Sequence, residues 1–180
     1  MLSSQSISGK KRRVGMGHSY YTFTAKYSQA TAYDMGEVTG FLASQYGGLE
    51  SFQIVLPEIS YSKSPTPPST TPATSATLAI GGNSIALSNC GNTKTVLAAG
   101  DFFKFANHTK VYMCVTDCIS NSGGVATLYF SGSNVAAIPS GTNLTITAVP
   151  FTVVVDNDVQ EYSVGFGGMT TMTVEFKEVW

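Results

Sequence analysis

Charge is scarce in this sequence. Asp, Glu, Lys and Arg make up 12% of 180 residues, about half the usual globular share. Ten basic side chains meet eleven acidic ones, for a net charge of −1. That balance argues against an overall electrostatic grip on nucleic acid or an anionic membrane. No stretch approaches about 18 unbroken apolar residues, so no transmembrane helix is expected. Residues 1–9 lack an apolar stretch after a basic one, so no secretory signal is expected either. Cysteine is confined to Cys90, Cys114 and Cys118. An odd set cannot pair fully within the chain, and free thiols made in a reducing cytoplasm are the expectation. What is abundant is apolar: 43% hydrophobic residues, with 10 Phe and 9 Tyr, which argues against disorder. A near-neutral chain so poor in charge is sticky as a free monomer, which points to surface buried in an assembly.

The residues that carry chemistry are sparse. Two histidines are present, His18 and His108, and His108 falls in the turn Asn107-His-Thr109, where a hydrogen-bonded or solvated imidazole is the expectation. Cys114 and Cys118 lie four apart. On one continuous strand their side chains stand about 13 Å from each other, so they converge on a metal only if the strand ends between them. Asp156-Asn-Asp158, with Glu161, reads as turn chemistry, because it lacks the glycine and spaced ligands of a calcium loop. Gly165-Phe-Gly-Gly168 precedes no helical pattern and reads as a loop, not a nucleotide cradle. No G-x-S-x-G, HExxH or P-loop occurs. No catalytic residue, metal site or cofactor is assigned, and the protein is not expected to be an enzyme.

Organisation is more legible. Residues 1–17 read as a polar arm carrying Lys10-Lys-Arg-Arg13, docked on a neighbour or solvated. In Ser19–Tyr27 the residues Tyr21, Phe23, Ala25 and Tyr27 fall on one face and Tyr20, Thr22, Thr24 and Lys26 on the other, a half-buried strand. Thr31-Ala-Tyr-Asp34 opens like a capping box. Met35, Val38 and Leu42, with Phe41 beside them, then step as one helical face over about 31–45, and Gly47-Gly48 supplies a stop. Ser51–Pro57 reads as a second strand. Four of the 7 prolines fall in residues 63–77, an extended Pro/Thr/Ser connection. Residues 78–148 hold short apolar runs between Gly/Asn/Ser turns, the mark of a small barrel or sandwich. Within them Lys110–Asp117 and Val125–Phe130 read as a hairpin. Phe151–Val155 and Gln160–Val164 read as a second hairpin about Asp156-Asn-Asp158, and Met172, Val174 and Phe176 share one face of a last strand. The first strand–helix–strand unit is too small to bury its own sheet. The expected fold is therefore mainly β with one short helix: a β-sandwich or tube-like domain from 18–62 plus 149–180, interrupted by an inserted all-β domain. Such an insertion costs little loop entropy.

Several of these segments together resemble a family. They are Tyr20–Tyr27, the helix ending Gly40-Phe-Leu-Ala-Ser-Gln-Tyr-Gly-Gly48, Leu49–Pro57, Ala99–Met113, Asp158–Tyr162 and Val174–Trp180. The pattern is similar to tail proteins of tailed bacteriophages, especially small distal-tail or baseplate-ring proteins. The resemblance implies a structural virion protein, made in the host cytoplasm and built into the tail. It implies a hexameric ring continuous with the tail tube, with the inserted domain projecting outward. Implied partners are further copies of the chain, tube proteins and baseplate or hub proteins. DNA passes the lumen without sequence-specific binding, and no membrane is involved. Lys10, Lys11, Arg12, Arg13 and Trp180 are taken as subunit contacts. An alternative makes the insert a carbohydrate or host-surface binder on aromatic platforms, Phe103, Tyr112 and Tyr129 foremost, with Phe102 and Phe105 beside them; a barrel core is the competing use of those rings. A further alternative is a tail-tube or tail-completion subunit.

Overall fold

The computed structural model describes residues 2–5, 11–14, 19–156, 162–165 and 170–180. His18, Lys10, Asn157, Asp158, Glu161 and Phe166–Gly168 lie outside the described residues. The chain is mainly β with one helix, in open sheets with no closed barrel among the described residues. The strands and helix run β1 (Leu2–Gln5), β2 (Lys11–Val14), β3 (Thr22–Ala30), α1 (Ala32–Ser44), β4 (Phe52–Ile54), β5 (Ala73–Thr74), β6 (Ser84–Ser88) and β7 (Thr95–Leu97). They continue as β8 (Phe102–Phe105), β9 (Val111–Met113), β10 (Cys118–Ile119), β11 (Ala126–Tyr129), β12 (Leu144–Thr145), β13 (Phe151–Val155), β14 (Tyr162–Val164) and β15 (Thr170–Glu178).

The main sheet is built on β15. One side of β15 pairs with β3, Phe176 opposite Phe23 and Met172 opposite Tyr27. Its other side pairs first with β14 and then with β13, whose far edge carries β4. The expected hairpin between Phe151–Val155 and Gln160–Val164 therefore does not form. The two segments lie end to end along β15, Val155 opposite Phe176 and Tyr162 opposite Met172. A nine-residue strand offers room for both, and pairing with β15 buries Val153 and Val155 on the core face.

The helix follows its signals. Thr31 caps it, its hydroxyl accepting the Asp34 N–H at 3.3 Å and donating to the Asp34 carboxylate at 2.7 Å. Met35 and Leu42 are buried against the sheet, and Phe41 sets its ring edge-on to Phe52 at 5.0 Å. Beyond the C-cap Gln45, Tyr46 and Gly47 turn through positive φ. Gly48 then passes so close to β13 that a Cβ there would stand 2.8 Å from the Val155 carbonyl oxygen.

Residues 73–145 supply three small sheets, ordered β11-β6-β5, β12-β8-β9 and β10-β7. The expected hairpin of Lys110–Asp117 with Val125–Phe130 is reduced to a bridge, Cys114 to Phe130, because β9 pairs with β8 and β11 with β6. These sheets enclose one core of Leu87, Val96, Phe103, Phe105, Tyr112, Leu128 and Phe130, while a second core lies between α1 and the main sheet. Strand β8 serves both. Successive side chains of a strand point to opposite faces, so Phe103 and Phe105 enter the first core while Phe102 packs on the second. In the same way Tyr112 enters the first and Val111 the second.

The proline-rich connection lies along its own insert. Prolines lack the N–H that a strand uses in its ladder, and here Ser and Thr hydroxyls take over. Ser64 Oγ donates to the Thr95 carbonyl, Thr66 Oγ1 accepts the Thr95 N–H at 3.1 Å, and Thr70 Oγ1 donates to the Asn89 carbonyl at 2.6 Å. Entry and exit of the insert are tied to each other by Val149 N–H to the Ser60 carbonyl, 2.9 Å.

Candidate functional site

The most unusual chemistry lies where the two cores meet. Tyr21, Phe102 and Phe151 stack edge to face there, with centroids 5.1–5.9 Å apart. Beside them the Glu178 carboxylate, on the buried face of β15, gathers three chain segments. It pairs with the Lys110 ammonium, accepts the Val111 N–H at 2.9 Å and accepts the Tyr21 N–H at 3.2 Å. Lys110 Nζ also stands 4.4 Å from the Trp180 ring centroid and 4.9 Å from that of Tyr21. Burial pulls the Lys110 pKa below its ordinary value, and the bond and charge of Glu178 oppose the shift. Glu178 was legible in one respect: it continues the parity of Met172, Val174 and Phe176, so a strand that buries those residues buries it too.

A second buried carboxylate fastens the entry segment. Asp101 accepts the Ser62 hydroxyl at 2.6 Å, the Lys63 N–H at 3.0 Å and the Ala98 N–H at 2.9 Å.

Of the proposed platform rings, Phe103 and Tyr112 are buried among Phe105 and Phe130, so neither presents a face to solvent. Phe105 is likewise core; Tyr129 is half exposed, because alternation on β11 turns it outward. Lys11, Arg12 and Arg13 sit on β2, which pairs antiparallel with β1, so this part of the expected arm is strand. Trp180 is half exposed beside Lys110. Strand β9 ends at Met113, just before Cys114, and Cys118 opens β10; all three thiols enter the insert core, where burial raises their pKa to about 11 for Cys90 and Cys114 and about 12 for Cys118. Among the described residues no group of three His, Cys, Asp or Glu is placed to hold a metal ion.

Surface remains. Among the described residues β3 and β14 bond only β15, and β4 only β13, so the main sheet has an open edge at β3 on one side and at β4 and β14 on the other. On the same part of the chain Tyr33, Tyr46 and Leu49 are 82%, 76% and 77% exposed. Open edges and exposed apolar side chains are features that partners cover.

The fold thus defines a mainly β protein with one flanking helix and a second core stitched into its main sheet. Residues 69–148 match the family model for the distal tail protein pb9, B domain. The match supports a phage distal tail family, the one the sequence resembles, and spans most of the insert. No curated protein matches the chain.

Proposed function

We propose that this chain is a structural protein of a bacteriophage tail. Its copies close head to tail into a ring of about six, which joins the tail tube to the baseplate or tail tip. The match of residues 69–148 to a distal tail protein domain is the observation that carries the tail role. The open edges of β3 and β4 favour a ring. They lie at opposite sides of one sheet, so β4 of one copy, three residues long, can pair with part of the nine-residue β3 of the next. Such a head-to-tail contact closes into a ring when its rotation per step is a whole fraction of the circle, about 60° for six copies. Lys10, the basic strand β2 and Trp180 are the proposed contacts to neighbouring copies and to tube and hub proteins. Scarcity of charge suits a lumen through which DNA slides without sequence-specific binding. The carbohydrate-binding reading has less support, since two of its three platform rings are core.

The test is assembly. Light scattering and negative-stain imaging of the purified chain should find closed rings of about six copies. Deleting residues 1–13 removes β1 and most of β2, and should weaken ring formation while leaving the urea-unfolding midpoint of the two cores unchanged. Unaltered assembly removes the basic segment from the interface. If full-length protein mixed with tube and hub proteins still forms no ring, the ring itself is refuted.

A further inference from the structure

The turn between β8 and β9 faces the segment Ser131–Ile138 across a short polar chain. Tyr112 Oη accepts the Val135 N–H at 3.1 Å and lies 2.8 Å from His108 Nε2. His108 Nδ1 lies 2.8 Å from Asn107 Oδ1, and Asn107 Nδ2 donates to the Ala137 carbonyl at 2.9 Å. The ends of this chain fix its middle. Asn107 must turn its oxygen to His108, because its NH2 is committed to Ala137. Nδ1 must then carry the ring proton, and Nε2 must accept from the Tyr112 hydroxyl. One neutral tautomer satisfies every group.

A second proton on His108 breaks that chain. Nε2–H would then compete with the Val135 N–H for the Tyr112 oxygen, and the Tyr112 hydroxyl hydrogen would lose its acceptor in a side chain only 2% exposed. The other charged groups facing the imidazole are Lys104 on β8 and Lys110 at the start of β9, both cationic. Residues 131–138 contain no ionisable side chain. Burial, then Lys104, then Lys110 hold the imidazole pKa below its ordinary value. Tyr112 is pushed up to about 12 and keeps its proton throughout.

The flap governed by this chain is narrow. Asn134 is anchored by bonds to Gly82 and from Gly81, and Ile138 exchanges bonds with Leu78. Between those anchors, Val135 and Ala137 are tied across to the β8–β9 side by Tyr112 and Asn107.

We propose that His108 is a proton-operated clip: neutral, it leaves the Tyr112 oxygen to hold the Val135 N–H, and protonated, its Nε2–H takes that oxygen and frees Val135, while Asn107 keeps its bond to Ala137. The insert thereby carries an acid-sensitive segment whose opening lies below about pH 6.5, the ordinary histidine value.

Amide hydrogen exchange of the intact chain, corrected for intrinsic rates, tests this between pH 7.5 and 5.0. Protection of the Val135 amide should fall about tenfold, the loss of one hydrogen bond. The midpoint should coincide with the His108 ring-proton titration seen by NMR in the same samples. His108→Gln should show no step over this range, and Tyr112→Phe should show low Val135 protection at every pH. Constant wild-type protection through the His108 titration overturns the clip, as does a step that persists in His108→Gln. If His108→Gln does not fold, the coincidence of the two wild-type midpoints decides alone.

Discussion

Replacing Glu178 by Gln leaves the Lys110 ammonium without its anion at the junction of the two cores. The side chains of Lys110 and Glu178 are 4% and 0% exposed, so water cannot take over. Gln preserves the volume but keeps one oxygen where Glu178 uses two, Oε1 for the Val111 N–H and Oε2 for Lys110 and the Tyr21 N–H, so its NH2 also turns a donor toward one of those groups. Removing one partner of so buried a pair costs about 3–5 kcal/mol, against about 0–1 for an exposed one. Lys110→Met is the complement: it keeps an apolar stem and leaves a carboxylate with two backbone donors. The double variant buries no charge, so its loss should be smaller than the sum by about 2–3 kcal/mol. Urea unfolding followed by far-ultraviolet circular dichroism measures all three. Fluorescence adds a local report, since Trp180 is the one tryptophan and lies against Lys110. Single losses below about 1 kcal/mol that simply add would show a hydrated pair and refute the reasoning.

Other outcomes follow from the same geometry. Asp101→Asn turns an acceptor into a donor facing Ser62, Lys63 and Ala98, and should cost about 1–3 kcal/mol while speeding proteolysis at residues 62–66. Phe103→Ala should cost about 3–5 kcal/mol through a core cavity, whereas Tyr129→Ala should stay near 1 kcal/mol or less; equal losses in urea titrations would contradict the assigned burial. Gly40 in α1 has no heavy atom within 4 Å of a Cβ position, so Gly40→Ala should raise monomer stability by about 0.5–1 kcal/mol. Cys90, Cys114 and Cys118, their pKa raised to about 11, 11 and 12, should resist iodoacetamide at pH 8 until denaturant is added; labelling at the rate of a free thiol would place them at the surface.

Much of this molecule is written in local pattern. Alternation in β3 and β15 and the step of Met35, Val38 and Leu42 name the faces that pack, and Thr31 names the helix start. Pairing is less local. Phe151–Val155 and Tyr162–Val164 alternate as a hairpin would, but their partner is the later strand β15, a choice made by total burial and not by the turn between them. The aromatic run Phe102-Phe-Lys-Phe105 shows its alternation without showing that each face has a different core to enter. Lys110 stands in a polar turn and gives no sign of burial; its anion comes from a strand 68 residues away. The hydroxyl bonds of the proline-rich segment are equally long-range, since composition predicts an extended chain but not the backbone it lies against.

The central claim concerns place and number in a particle. The direct measurement is immunogold labelling of intact virions with antibody to residues 69–148, combined with copy counting by quantitative mass spectrometry. The account predicts gold confined to the end of the tail distal to the head, and about six copies or a small multiple per particle. Label on the capsid, label along the whole tail, or absence of the chain from purified virions would contradict it.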